Sequence, residues 1–283
     1  MRVAVLVTCW NEREGILACL EQLFRQIDRM RTDGLYDFTV WLADGGSTDG
    51  TLDELEGRYS QLVVLRGNHE KNWIHGTNLA WEEAAKGDPD FYILLSAKIH
   101  LEEGAIASLM ENSQFLRHRA LLAGAVDDTS GVIVAGGRSK SGKIVDPDPL
   151  IPVPCYNFDG ALVLVPKAVY SKLGGLDKAY NYKFADLDYG VRAFKAGIPR
   201  VLAPGVLARV VSTSALPKWS DASYPLKERY AYMTSAQRRI PRELFIYDCR
   251  RVGFFGALGR TFALYFRMLT TRKRTDGKGE GDS

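Results

Sequence analysis

Apolar residues recur along this chain in two rhythms. Arg2 to Thr8 reads RVAVLVT, an unbroken, β-branched apolar run of the kind that forms a strand buried on both faces. From Glu12 to Gln26 the apolar residues Ile16, Leu17, Leu20 and Leu23 return at helical spacing, so a helix follows the strand. The alternation then continues. Phe38 to Ala43 predicts a second strand, with a helix after it to about Tyr59; Gln61 to Leu65 predicts a third strand, Asn78 to Ala85 a helix and Phe91 to Leu95 a fourth strand. Such alternation predicts an α/β fold with a mostly parallel sheet, helices on both faces, and ligands at the carboxyl ends of the strands.

The rhythm changes between Gly131 and Pro154, where Gly, Ser, Lys, Asp and Pro predict a hairpin or excursion before the next strand, Ala161 to Pro166. Short helices are predicted at Lys167 to Leu173 and Tyr189 to Ala196. A length of 283 residues suits one large domain or one domain with an appendage, and 46% hydrophobic with 25% charged residues is the makeup of a globular protein. The formal charge of +3 is too small to point to nucleic acid, but its distribution is uneven: Arg238 to Arg274 holds ten Lys or Arg against Glu243 and Asp248. Four scattered cysteines without metal-like spacing, and an opening without a leader pattern, predict a reducing cytoplasmic location. No apolar run reaches the about 20 residues of a spanning helix.

Two loops carry candidate chemistry. After the first strand, Thr8-Cys9-Trp10-Asn11-Glu12 offers an aromatic face that could stack on a base and a carboxylate, Glu12, that could accept from ribose or base. The plainer alternative is that Trp10 packs and Glu12 sits at the start of a helix, where an acid suits the dipole. After the second strand, Asp44 is followed by Gly45-Gly46-Ser47-Thr48-Asp49-Gly50, a tight turn expected to expose the Asp44 carboxylate to a base N–H or a ribose hydroxyl. Ser47, Thr48 or Asp49 would then cap the next helix.

VLVTCWNEREGILACLEQL followed by WLADGGSTDGTLDEL resembles the opening of family 2 of the inverting glycosyltransferases, with Trp10 where that family commonly has Tyr. The resemblance continues through Gly76 to Ala80, Leu101 to Ile106, Gly160 to Pro166, Gly174 to Asp177 and Ala185 to Asp188 with Arg192, in the family's order, over roughly residues 3 to 212. It implies the GT-A fold in a catalytic domain spanning 1–235, followed by a basic amphipathic helical segment at 236–275 and a disordered tail at 276–283. It also implies a nucleotide-sugar donor, contacted by Thr8, Cys9, Trp10, Glu12, Asp44 and Asn78. The general base would be Asp186, with Asp188 as competitor or support; Asp159 and Gly160 would meet the acceptor or donor sugar. Both Asp186 and Asp188 could instead cap a helix or pair with Arg192.

One part of the family pattern is replaced. The acid that binds a divalent metal after the fourth strand aligns with Lys98, and a His expected after Val201-Leu202-Ala203-Pro204 is missing, with Arg209-Val210-Val211 there instead. A Lys or Arg can neutralise phosphate directly. Lys98, helped by Arg209 or Lys71, is therefore expected to replace the metal, with no metal or other cofactor required. An alternative is that Lys98 only pairs with an acid such as Asp44; His75 and His100 are other ligand candidates.

The expected activity is hexosyl or deoxyhexosyl transfer to a glycan or lipid-linked glycan in bacterial surface polysaccharide assembly. The competing readings are a non-catalytic sugar-nucleotide or glycan-binding relative and a sugar nucleotidyltransferase. The latter is disfavoured because no glycine-rich basic loop follows the first strand. In residues 250–274 Phe254, Leu258, Phe262, Tyr265, Phe266 and Leu269 could share a face of a helix edged by Arg, suited to the anionic inner face of a membrane or to docking on protein.

Overall fold

The structure is a computed structural model that describes residues 1–32, 34–67, 72–210 and 217–271. In chain order the elements of the first part are β1 (Arg2–Cys9), α1 (Arg13–Arg31), β2 (Asp37–Asp44), α2 (Thr51–Leu55), β3 (Leu62–Arg66), α3 (Trp73–Ala85), β4 (Phe91–Ser96), β5 (Ile99–Leu101) and α4 (Ala105–Phe115). They continue with β6 (Leu121–Asp127), β7 (Ile133–Ala135), β8 (Gly137–Arg138), β9 (Val153–Pro154), β10 (Asn157–Phe158), β11 (Leu162–Pro166), α5 (Lys167–Leu173), α6 (Ala185–Lys195) and β12 (Arg200–Val210).

The main sheet runs β3-β2-β1-β4-β11-β6-β12-β5, with β7 beside β6 and β9 beside β12. β1, β2, β3 and β4 are parallel, as the alternation of rhythms requires. β11 enters antiparallel between β4 and β6. An antiparallel strand begins where its parallel neighbour ends, so the residues before β11 arrive at the carboxyl end of β4.

The pleat divides the core into two. Val3, Val5 and Val7 of β1 and Ile93 and Leu95 of β4 join Ile16, Leu20, Leu23 and Ile27 of α1 in one buried cluster. A second, aromatic centre forms where Trp81 of α3 stacks on Tyr170 of α5 and meets Tyr92 of β4 and Tyr189 of α6. Gly190, the residue after Tyr189, gives α6 its close approach to β10: a Cβ there would lie 2.9 Å from the Asn157 Cα.

Several boundaries differ from those the pattern predicts, each with a local cause. α1 runs on to Arg31, and α2 stops at Leu55, just before Gly57 turns the chain with φ at +67°. α3 begins at Trp73 because the Asn72 side chain accepts from the Ile74 N–H at 3.0 Å, which caps it earlier than expected. α6 begins at Ala185, four residues before the expected Tyr189, which puts Asp186 and Asp188 in its first turn.

The chain divides into two compact units, Met1–Thr213 and Ser214–Ser283, so the expected boundary at 235 is too late. The reason is that a 3-10 turn (Lys218–Ser220) and α7 (Leu226–Thr234) pack with α8 (Ile240–Val252) and α9 (Phe254–Thr270). Met233, Ile240, Tyr247, Ala257 and Met268 are buried in this unit. Buried Arg229 donates to the Trp219 carbonyl at 3.1 Å and to the Met268 carbonyl. The expected tail at 276–283 lies outside the described residues. Among the described residues no helix is long and apolar enough to cross a membrane.

Gly190→Ala tests the α6 contact. Alanine would gain about 1 kcal/mol of helix propensity, but overpacking a rigid backbone neighbour costs about 1–3 kcal/mol. A net loss of about 1 kcal/mol in urea unfolding is expected.

Candidate active site

β1 is in register with both neighbours, so Cys9 lies beside Asp44 and Thr8 beside Ser96. Three loops therefore leave the sheet at one level. Asn11, in the left-handed region at φ 47°, ties two of them together: its backbone N–H donates to the Ser47 hydroxyl at 2.9 Å and its side-chain Oδ1 accepts from the Thr48 N–H at 2.8 Å. Asp49 accepts from the N–H of Arg13 at 3.1 Å and from the Thr51 hydroxyl at 2.5 Å, while the cap position of α2 is taken by Gly50, in the left-handed region, and not by Ser47, Thr48 or Asp49. The Thr51 hydroxyl, the largest effect, holds the Asp49 carboxyl below its ordinary range.

Asp44 does not present its carboxylate as expected. It is buried and accepts from the Gly46 N–H at 2.9 Å, the Ser47 N–H at 3.0 Å, the Ser47 hydroxyl at 2.5 Å and the Cys9 thiol at 3.5 Å. Four donors fill what a carboxylate can accept. Burial first, and then the facing Asp44 charge, push the Cys9 thiol far upward, so Cys9 serves as a neutral donor within the loop. Thr8 is half-buried, and its methyl lies so close to Gly76 that a Cβ there would be 3.0 Å from it. Trp10 is 37% exposed at the rim of the same strand ends.

Asn78 is also turned to a structural task. Its amide donates to the Leu176 carbonyl at 2.9 Å and accepts from the Leu176 N–H at 2.9 Å, in buried surroundings. Gly175 is required beside it, since a Cβ there would lie 2.5 Å from the Asn78 oxygen. The amide so pins α3 to the Gly174–Asp177 loop.

The chemistry gathers at the end of β4. The Ser96 N–H donates to the Ala161 carbonyl at 2.8 Å, and the neighbouring Gly160 N–H donates to Asp186 Oδ2 at 2.8 Å. Asp186 Oδ1 accepts from the Leu187 N–H at 2.8 Å. A Cβ on Gly160 would stand 3.0 Å from the Asp186 Cβ, so this approach needs glycine. Asp159 is held by Arg138, whose Nε lies 2.9 Å from both carboxylate oxygens, and by the Gly136 N–H at 3.2 Å. Burial raises the Asp159 carboxyl while Arg138 pulls it down. Asp186 has no cation of its own in this set: burial, and then the Asp159 charge, raise it to about 6. The structure thus brings Asp159, Gly160 and Asp186 together, with both carboxyls raised by burial.

Asp188 is different. It lies inside α6, fully buried, with Arg192 Nε at 3.1 Å. Arg192 is itself fixed by the Leu173 and Gly175 carbonyls, each at 2.8 Å. Asp188 therefore anchors Arg192 within the fold and faces another side of α6 than Asp186.

Of the three expected counter-charges, Lys71 lies outside the described residues. Arg209 on β12 forms a fork with Asp127, Nε to Oδ1 at 2.9 Å and Nη2 to Oδ2 at 2.8 Å. Asp127 is buried, so freeing Arg209 would leave a buried carboxylate without this cation. Arg209 is committed to the fold. Lys98, in the turn between β4 and β5, pairs with Glu12 at 2.9 Å, not with Asp44. Its side chain is 69% exposed, and such a pair is worth about 0–1 kcal/mol, so it can be exchanged. At this turn the Lys98 ammonium stands beside the strand end. Among the described residues no group of three or more His, Cys, Asp or Glu side chains is arranged to hold a metal. His100 lies on β5 opposite Arg209.

The residues missed by the sequence reading are Asn11, Arg138 and Asp127. Asp127 carried a usable signal: LLAGAVD ends a buried strand in Asp as FTVWLAD does.

A sheet with candidate groups at its parallel strand ends belongs to the α/β class anticipated from the alternating rhythm. The model of the family described as Glycosyl transferase family 2 matches residues 4–111, from β1 into α4. No curated protein sequence matches the chain. Among solved structures, S. aureus TarS is similar with a TM-score of 0.62 at 13% identity, covering 94% of this chain and 54% of that one. S. aureus TarS 1-349 in complex with UDP gives a TM-score of 0.60 at 14% identity over 93% of this chain and 72% of that one. The same fragment in complex with UDP-GlcNAc gives 0.59 at 14% identity over 91% and 72%. At these identities the likeness establishes the fold, the GT-A arrangement of a mostly parallel sheet flanked by helices.

Asn78→Ala should lower stability by roughly 2–4 kcal/mol, since it strands a buried N–H and a buried carbonyl of Leu176. The urea midpoint is the measurement; a loss below about 0.5 kcal/mol would show that the clamp is not needed.

Proposed function

We propose that the protein is an inverting glycosyltransferase that takes its sugar from a nucleotide diphosphate sugar. The observation that carries this reading is the buried carboxylate of Asp186, one hydrogen bond from the loop that meets the end of β4 and raised by burial and the neighbouring Asp159 to about 6. The family match over residues 4–111 and the likeness to a protein crystallised with UDP and UDP-GlcNAc support a donor of that class.

In the proposed reaction an acceptor hydroxyl attacks the anomeric carbon from the face opposite the diphosphate. Its oxygen forms the new bond, Asp186 takes its proton, and the nucleoside diphosphate leaves with the electrons of the broken carbon–oxygen bond. Asp159, kept charged by Arg138, raises the affinity of Asp186 for that proton and lies where a sugar hydroxyl could be met. Lys98 gives up Glu12 for the diphosphate, replacing a weak pair with one to a more highly charged partner. That exchange makes transfer independent of a divalent metal. The acceptor is proposed to be a glycan or lipid-linked glycan of a bacterial surface polysaccharide, on the resemblance of the motifs.

Asp186→Asn should lower kcat by about 10²- to 10⁴-fold, the range for a general base, with little change in nucleotide affinity by calorimetry. A base must be ionised to act, so kcat in the wild type should rise with pH through about 6 and level off above it. Asp159→Asn removes the neighbouring negative charge and should move that limb to lower pH. An unchanged kcat in Asp186→Asn would assign the base elsewhere.

Transfer should persist in excess EDTA, while Lys98→Ala should weaken donor binding or turnover at least about tenfold, as loss of a charged phosphate contact does. A rate that collapses in EDTA and returns with manganese or magnesium would refute the role given to Lys98.

A further inference from the structure

The C-terminal unit holds an apolar face that its own packing does not use. In α9 the positions Phe255, Leu258, Phe262, Phe266 and Leu269 follow one another at spacings of three and four, so they line one side of the helix. They are 85, 55, 73, 59 and 59% exposed. The packed side is another: Ala257 and Met268 are buried. Phe254, 59% exposed, makes edge-to-face contacts with Phe245 and Phe255 and widens the apolar side at the helix start. Five large apolar side chains in one exposed row are more than scattered surface residues explain.

We propose that this face of α9 docks flat on an anionic lipid bilayer. The charge of the unit selects that occupant. Residues 217–271 contain ten Lys or Arg (218, 227, 229, 238, 239, 242, 250, 251, 260 and 267) against four acids (221, 228, 243 and 248), and the sequence continues Arg272-Lys273-Arg274. A second copy of the chain would bring two such positive surfaces together, which like charges disfavour, whereas an anionic surface attracts them. Arg260 and Arg267 lie by helical geometry on the side of α9 away from the row, Arg260 bound to Asp248 at 2.8 Å and Arg267 over the Trp219 ring, so the row itself carries no charge. The seventeen residues of α9 make a helix about 25 Å long. An exposed apolar row on a helix whose other side packs, in a unit with an excess of basic residues, suits a helix that lies in an anionic interface and does not cross it.

The test is flotation of the full chain with vesicles of phosphatidylcholine and phosphatidylglycerol at 3:1, and with phosphatidylcholine alone. Binding to the anionic vesicles should exceed binding to neutral ones at least tenfold and weaken in high salt. Phe262→Asp with Phe266→Asp should abolish it while leaving the circular dichroism spectrum and thermal midpoint unchanged. If that double variant does not fold, Phe255→Asp, at the most exposed position, should lower binding several-fold in a folded protein. The proposal is overturned by equal or absent binding to the two vesicles. It is equally overturned by a dimer in light scattering that the same substitutions convert to monomer, or by a lowered thermal midpoint for Phe255→Asp, which would mean the face is covered by protein.

Discussion

The register of three parallel strands is the constraint on which the candidate site depends. β1 is paired residue for residue with β2 and β4, so Cys9, Asp44 and Ser96 reach the end of the sheet together. Everything above that level is organised by hydrogen bonds between loops. Asn11 joins the first loop to the second, Gly67 donates to the Asp44 carbonyl at 2.8 Å to bring the third beside them, and Ser96 holds Ala161. A slip of one residue in any pair would exchange the buried and exposed faces of a strand and part these loops.

Within this frame, carboxylates of similar appearance take different work according to what surrounds them. Asp44 is filled by donors of its own loop, Asp127 and Asp188 are neutralised by arginines, and Asp159 is held by Arg138. Among the described residues Asp186 receives backbone N–H groups and no arginine or lysine, while facing the Asp159 charge. Burial without a cation leaves it with a raised proton affinity, the property a general base requires near neutral pH. The cations divide in the same way: Arg209 is locked to a buried partner, whereas Lys98 keeps a weak, exposed one.

The sequence disclosed the strands well because the buried runs of β1, β2 and β4 are continuous and apolar. It also grouped Asp159, Gly160 and Asp186 through their motifs, and the Gly160 approach shows why a glycine stands there. It did not disclose the partners that Asp44, Asn78 and Asp188 find within the fold. Each is a polar residue at a motif position, and a motif does not disclose whether its side chain turns to solvent or to a backbone group nearly a hundred residues away, as Asn78 does to Leu176.

What the sequence determined by itself is the alternation of buried strands and amphipathic helices, because periodicity is a local property set by the faces each element must bury. The same holds for the row of apolar residues in α9. What only the tertiary structure decided is the partner of each charged or amide side chain: Glu12 with Lys98, Asp127 with Arg209, Asp159 with Arg138. Those pairings join elements distant in the chain, and they set which carboxylate is shielded, which is saturated and which can take a proton. The physical reason is that charge and hydrogen bonding act through space, over distances of a few ångströms that sequence separation does not encode.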